Sequence, residues 1–183
     1  MFQWLCGARW RDRRLMVEAL YAEIVAAARR PPLYADWRVP DTPLGRFEML
    51  SVFMFLFLHR MQQSGNGGAA KELSQEVTDL FFLDVDHSLR ELGVGDLGVP
   101  KRMKKLARMF YGRLNAYGDA VDAADSQALS AALHRNIAPD HAVWEEAAAL
   151  ANHVLEAHRA LAGLADEELL AGGLRFAPLP QEI

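Results

Sequence analysis

One stretch limits the possible folds more than any other: residues 49–58, MLSVFMFLFL, run without a charge between Glu48 and His59. Ahead of it, Asp41 and Thr42 offer N-cap oxygens and Pro43 suits a first helical turn, so the pattern predicts a helix over 43–62. Past Glu48 that helix is apolar nearly all round, and such a surface is buried only when other elements surround it. A bilayer could also surround it, but a span needs about 20 apolar residues and this run is well short of that. The stretch therefore predicts the central helix of a bundle.

The required neighbours can be read on either side. Residues 12–30 carry Val17, Leu20, Tyr21, Ile24 and Ala28 at helical spacing, and Pro31, Pro32 and Pro40 bracket an extended connection from which Tyr34 and Trp37 fold back onto the body. The SGNGG at 64–68 is a break and the one internal hinge that the pattern offers. A third helix over 70–92 buries Leu73, Val77, Leu80, Phe81, Val85, Leu89 and Leu92, with Glu72, Glu76, Asp79 and Asp86 on its other side. A fourth starts at Pro100 and buries Met103, Leu106, Phe110, Leu114 and Tyr117. Beyond Asp119 the texture becomes alanine-rich and acidic, with helices over 126–136 and 140–162, the latter capped by Asp140. Strand alternation and internal repeats are missing from the pattern. The expectation is an all-α, single compact bundle of about six helices in one domain over 1–183, with its core at 12–162, a mobile N-terminus and an exposed tail over 163–183.

Charge is distributed unevenly. Before Asp119 lie 17 of the 20 Lys and Arg, giving net +4, whereas the remainder carries net −8. The total of −4 argues against specific nucleic-acid binding, while the asymmetry predicts a basic side and an acidic side. Cys6 is the sole cysteine, so an internal disulfide and a cysteine-based zinc site are both excluded, and a reducing, cytoplasmic location is expected. The opening MFQWLC is too short for a signal-peptide core. Residues 1–14 mix Trp4 and Trp10 with Arg9, Arg11, Arg13 and Arg14, a composition suited to the surface of an anionic inner membrane. A flexible basic terminus without further role is the plainer reading of the same residues.

No pattern of catalytic or metal-binding spacing emerges from the six histidines. His134 and His141 flank a helix break, His153 and His158 are on different faces of one helix, and HExxH is absent. Asp84, Asp86 and Ser88 imitate the start of a calcium loop, but Leu89 replaces the turn glycine, Arg90 occupies the seventh position and the twelfth-position Glu is missing. No serine sits in a GxSxG elbow. The residues thus predict no catalytic site, no metal and no cofactor.

What remains is the stretch 93–105, GVGDLGVPKRMKK. Gly93, Gly95 and Gly98 free the backbone for positive φ or a close approach, Asp96 sits among them, and Lys101, Arg102, Lys104 and Lys105 follow Pro100 at once. Cations at a helix start oppose the helix dipole and need a reason. Lys101, Lys104, Lys105 and Arg108 share one helical face, a continuous basic stripe for a partner or an anion, unless the acidic side of the third helix neutralises it. The literal GxGxxG follows a helix and not a strand, so it is no nucleotide fingerprint, although a glycine loop beside cations can hold a phosphate or a lipid headgroup.

Three blocks, PDTPLGRFEML at 40–50, GVGDLGVPKRMKK at 93–105 and FYGR at 110–113, occur in an order and at distances in which the chain resembles the ubiquinol-cytochrome c chaperone family over about residues 15–160. The resemblance implies an all-α, non-enzymatic assembly factor for the cytochrome bc-type complex. Its mitochondrial members act with a small partner protein at the ribosomal exit and hold newly made cytochrome b. With a helical body starting by about residue 12 and no long presequence ahead of it, the chain looks like a bacterial-type member. The second expectation, carried by the residues alone, is a peripheral membrane protein that binds anionic lipid or another phosphate-bearing ligand through the basic helix start.

Overall fold

The computed structural model describes residues 2–179, with side chains from Arg11 onward. Eight helices follow in order: α1 (Phe2–Ala28), α2 (Pro31–Ala35), α3 (Pro43–Gln62), α4 (Gly67–Glu91), α5 (Val99–Asp122), α6 (Ser126–Ile137), α7 (Ala147–Ala162) and α8 (Asp166–Leu170). Among the described residues there is no strand. Six helices are long, as expected from the sequence, while α2 and α8 are single turns of five residues.

Helix α3 lies where its composition requires, packed against α1, α4, α5, α6 and α7. Every residue from Phe47 to Met61 is buried. Its start is fixed locally. Pro43 takes the first turn and the Thr42 hydroxyl accepts from Gly45 N at 3.0 Å. Gly45 has to be glycine because a Cβ there would lie 1.9 Å from the Pro40 carbonyl oxygen.

A helix buried all round carries polar groups only if partners are supplied. Glu48, with no exposed surface, receives two hydrogen bonds from Arg113 of α5, at 2.5 and 2.6 Å. His59 meets Asp122 at the end of α5 at 3.0 Å. Arg60 donates to the Leu161 and Leu164 carbonyls and to Asp166. Glu48 and His59 thus tie α3 to α5, and Arg60 ties it to the segment after α7.

Several boundaries differ from expectation. Helix α1 starts at Phe2, ahead of the expected start near residue 12. Helix α7 begins at Ala147, not at Asp140, because Trp144 is pulled into the core, where its indole N–H donates to the Trp37 carbonyl at 2.9 Å. Asp140 is therefore no cap; Glu146 occupies that position without a side-chain cap bond. The hinge expected at 64–68 is pinned, since the Asp166 carboxylate accepts from Ser64 Oγ and Gly65 N, both at 2.8 Å. The tail expected to be exposed after residue 162 packs onto the body instead. Leu169, Leu174 and Phe176 are buried, the Phe176 ring meets Phe53 edge-on at 5.0 Å, and Arg30 donates to the Phe176 and Ala177 carbonyls. One apolar cluster thus runs from Val17 to Phe176.

Candidate functional site

The glycine loop between α4 and α5 is built by rules that the sequence announces. Gly93, at φ +79°, is the left-handed residue that ends α4, with Gly93 N donating to Arg90 O at 2.9 Å and Val94 N to Leu89 O at 3.1 Å. That pair of bonds satisfies two helix-end carbonyls at once. Gly98 N and Val99 N both donate to Gly95 O, closing a turn directly onto Pro100 in the first turn of α5. Asp96, a candidate partner residue, is occupied by Arg90, which also holds Asp86 at 2.7 Å.

Past the loop, Lys101, Arg102, Lys104, Lys105 and Arg108 are all exposed. Among the described residues none of them makes an ion pair. The acidic side of α4 does not neutralise them: Glu76 pairs with Arg13 at 2.8 Å, Asp79 accepts from Gln75, and Asp86 is held by Arg90. Five unpaired cations therefore cover the start of α5.

Along one flank of this stripe lies an open groove of about 890 Å³ between the end of α1, the start of α3, the end of α4 and the start of α5. Its apolar wall includes Leu44 and Phe47 of α3, Leu92 after α4, and Leu106 and Met109 of α5. Leu44 and Leu92 are about half exposed there, at 47% and 58%; Leu92 was expected on the buried face of the third helix, but α4 ends at Glu91 and leaves it outside the helix and open to solvent. Arg29, Arg46, Arg102 and Lys105 edge it, with Arg46 bound to Asp41 at 2.6 Å. Asp84, also in the lining, accepts from the Tyr21 hydroxyl at 2.8 Å. The groove joins residues of the block 40–50 to residues of the block 93–105, and the third block contributes Arg113, whose bond to Glu48 fixes α5 against α3 just behind it. Burial pushes the Glu48 carboxyl up from its ordinary value, and the guanidinium of Arg113 opposes that shift.

At the N-terminal cluster, Trp4, Arg9 and Trp10 lie outside the residues whose side chains are described. Of the others, Arg13 is tied to Glu76 and Arg14 to Glu18, and Arg11 is exposed. Two of the arginines expected at a membrane surface are thus engaged within the chain.

Among the described residues no group of three His, Cys, Asp or Glu could hold a metal ion. His87 is exposed, and His134 is bonded to the His141 carbonyl at 2.8 Å. The Asp84–Ser88 segment is ordinary helix, with Asp84 and Asp86 engaged as above. His153 is buried beside Trp37 and Phe53 with no partner for Nε2, and burial, reinforced by Arg30, holds its pKa below the ordinary imidazole value. The sequence reading missed the pairing of His59 with Asp122 and the contribution of Leu44, Arg29 and Arg46 to the groove. For Leu44 and Arg46 a signal existed, because both lie inside the block 40–50. No helix among the described residues is long and apolar enough to cross a membrane.

A family model described as ubiquinol-cytochrome C chaperone matches residues 35–176. The chain belongs to the ubiquinol-cytochrome c chaperone family. That span contains all three blocks and ends at Phe176, the last residue of the buried cluster, so the matched region reaches further toward the C-terminus than the expected 15–160 and begins after α1. In a comparison with solved structures, the chain is similar to the Cbp3 homolog from Brucella abortus, with 52% sequence identity, a TM-score of 0.89, and coverage of 98% of each chain. This chaperone-family fold is therefore shared from end to end with that protein. No curated protein matches the chain.

Proposed function

We propose that this protein is a non-enzymatic chaperone that holds a membrane-protein client, cytochrome b, during biogenesis of ubiquinol-cytochrome c reductase, with the client seated in the groove between α3, α4 and α5. Family membership supports the assembly role. The observation that carries the site is the convergence of the blocks 40–50 and 93–105 on one apolar groove, braced by Arg113 from the third block. A helix about 10 Å across with a 5.4 Å pitch would fit roughly two turns into a space of that size. Gly93, Gly95 and Gly98 shape the mouth, while Lys101, Arg102, Lys104, Lys105 and Arg108 present charge beside it. The place of action would be the cytoplasmic side of the inner membrane, where such a client inserts.

The test is co-purification from membranes of a cell that makes a bc-type complex. Cytochrome b is expected to come down with the tagged protein, and Leu44→Glu or Met109→Glu in the groove wall is expected to abolish capture while helicity is kept. A small partner protein, as in mitochondrial members, would appear in the same eluate. Unchanged cytochrome b level and haem content after gene deletion would refute the proposal.

A further inference from the structure

The loop between α4 and α5 carries exposed apolar surface that the client groove uses only in part. Leu97 is 99% exposed, and Leu92, one turn of chain earlier, is 58% exposed. One exposed leucine needs no explanation, but Leu92 and Leu97 lie on one short loop that runs directly into a cationic helix start. The five unpaired cations of α5 follow that loop in the chain, and among them Lys101, Lys104, Lys105 and Arg108 have i, i+3, i+4, i+7 spacing and form one face. Tyr111 continues that face, 54% exposed, with its ring tilted 39° to that of Phe82 at 6.2 Å.

We infer that the 92–98 loop and the cationic face of α5 form a docking surface for an anionic phospholipid bilayer, with Leu97 and Leu92 entering the interface and the lysines and arginines on the phosphates. The chemistry matches on both counts: exposed leucine partitions into the acyl boundary, and a cation stripe pairs with a negative surface, each Lys or Arg adding favourably. Tyrosine suits the same boundary, with its ring inward and its hydroxyl in the headgroups. The nearby acids do not cancel this. Asp86 and Asp96 share Arg90, which leaves Glu91 as the one exposed acid beside Leu92 without an ion pair among the described residues. Because Leu92, Arg102 and Lys105 belong to both surfaces, docking would bring the mouth of the groove to the membrane face.

Co-sedimentation of the full chain with phosphatidylcholine vesicles, with and without phosphatidylglycerol, tests this. Binding is expected only with phosphatidylglycerol and is expected to fall with added salt. Replacing Lys101, Lys104 and Lys105 by Gln should weaken it about 100-fold, and Leu97→Ser roughly tenfold. A Leu97→Trp variant should shift its emission to the blue on those vesicles. All these side chains are exposed, so unchanged circular dichroism is expected and separates docking from folding. Equal binding of the triple variant, equal binding to neutral vesicles, or an unshifted Leu97→Trp spectrum would overturn the inference. So would retention of a single-stranded RNA oligonucleotide, lost in the triple variant, by a protein that never sediments with vesicles. Client capture in detergent reads the groove without a bilayer, so the failure of one proposal is distinguishable from that of the other.

Discussion

Removing Arg113 should unfold this protein more readily than any surface change, and removing its partner as well should largely restore it. Glu48 has no exposed surface, and both of its oxygens are bonded only by Arg113, at 2.5 and 2.6 Å. The Arg113 side chain is itself 14% exposed and donates a third bond to the Met109 carbonyl at 3.0 Å. In Arg113→Met the carboxylate keeps its burial and loses its partner, which costs about 3–5 kcal/mol. For a chain of this length that corresponds to a fall of roughly 10 °C in melting temperature. The double variant Glu48→Met, Arg113→Met removes both charges at similar volume and should lie within about 1 kcal/mol of the parent, or above it. Urea titration followed by circular dichroism on the four proteins of this cycle gives the coupling directly. The pH dependence supplies a second reading. Burial raises the Glu48 pKa, and without Arg113 it rises further, so the stability deficit of Arg113→Met is smallest below the unfolded glutamate value of about 4.3 and grows as pH rises through the folded value. A double variant as unstable as Arg113→Met, or a deficit that does not change with pH, would refute the reasoning.

Three further outcomes follow from other sites. Gly45→Ala should cost about 1–3 kcal/mol in the same titration, since its Cβ meets Pro40 O at 1.9 Å, whereas Gly93→Ala, strained only by φ +79° with open space around it, should cost about 1 kcal/mol. Asp166→Asn should loosen the turn at 63–66, seen as faster amide exchange at Gly65. Hydrogen bonds from Arg60 and then Ser64 hold the Asp166 pKa below its ordinary value, so the stability it adds is present above about pH 3.9 and is lost as pH falls through the folded value; the variant should lack that acid limb. His153→Leu should flatten the stability profile below about pH 6.5. Burial depresses the His153 pKa, so the unfolded chain takes up the proton first and the native state loses ground as pH falls below the ordinary imidazole value.

Helix α3 could be read from the sequence because composition alone settles the environment of a helix that is apolar all round, and its bounds 43–62 coincide with those observed because Thr42 and Pro43 mark the start. The stripe was legible for a related reason: its members lie on one helix, where spacing fixes the face. The groove was not. Its lining comes from α1, α3, α4 and α5, elements separated by tens of residues, and no local pattern states that their ends meet. Nor did spacing reveal the packing of Leu169, Leu174 and Phe176, because isolated apolar residues among glycines and prolines carry no period. Local spacing did not reveal the late start of α7 either, since the Trp144 hydrogen bond to Trp37 spans 107 residues.

Glu48 and His59 bound the apolar run in the sequence and look like the points at which α3 leaves the core. Both are buried, and both reach α5, at Arg113 and at Asp122. Two contacts about three turns apart along α3 hold one face of α5 against the centre of the bundle, as Phe110 and Tyr117 do between them. The side of α5 that carries Lys101, Lys104 and Arg108 is thereby fixed outward and unpaired in water, while Leu106 and Met109, half-buried against the core, form a groove wall. The polar residues inside the core thus determine where the proposed client surface stands, and if that proposal holds, loss of Arg113 should disturb client capture at temperatures where the remainder of the chain is still folded.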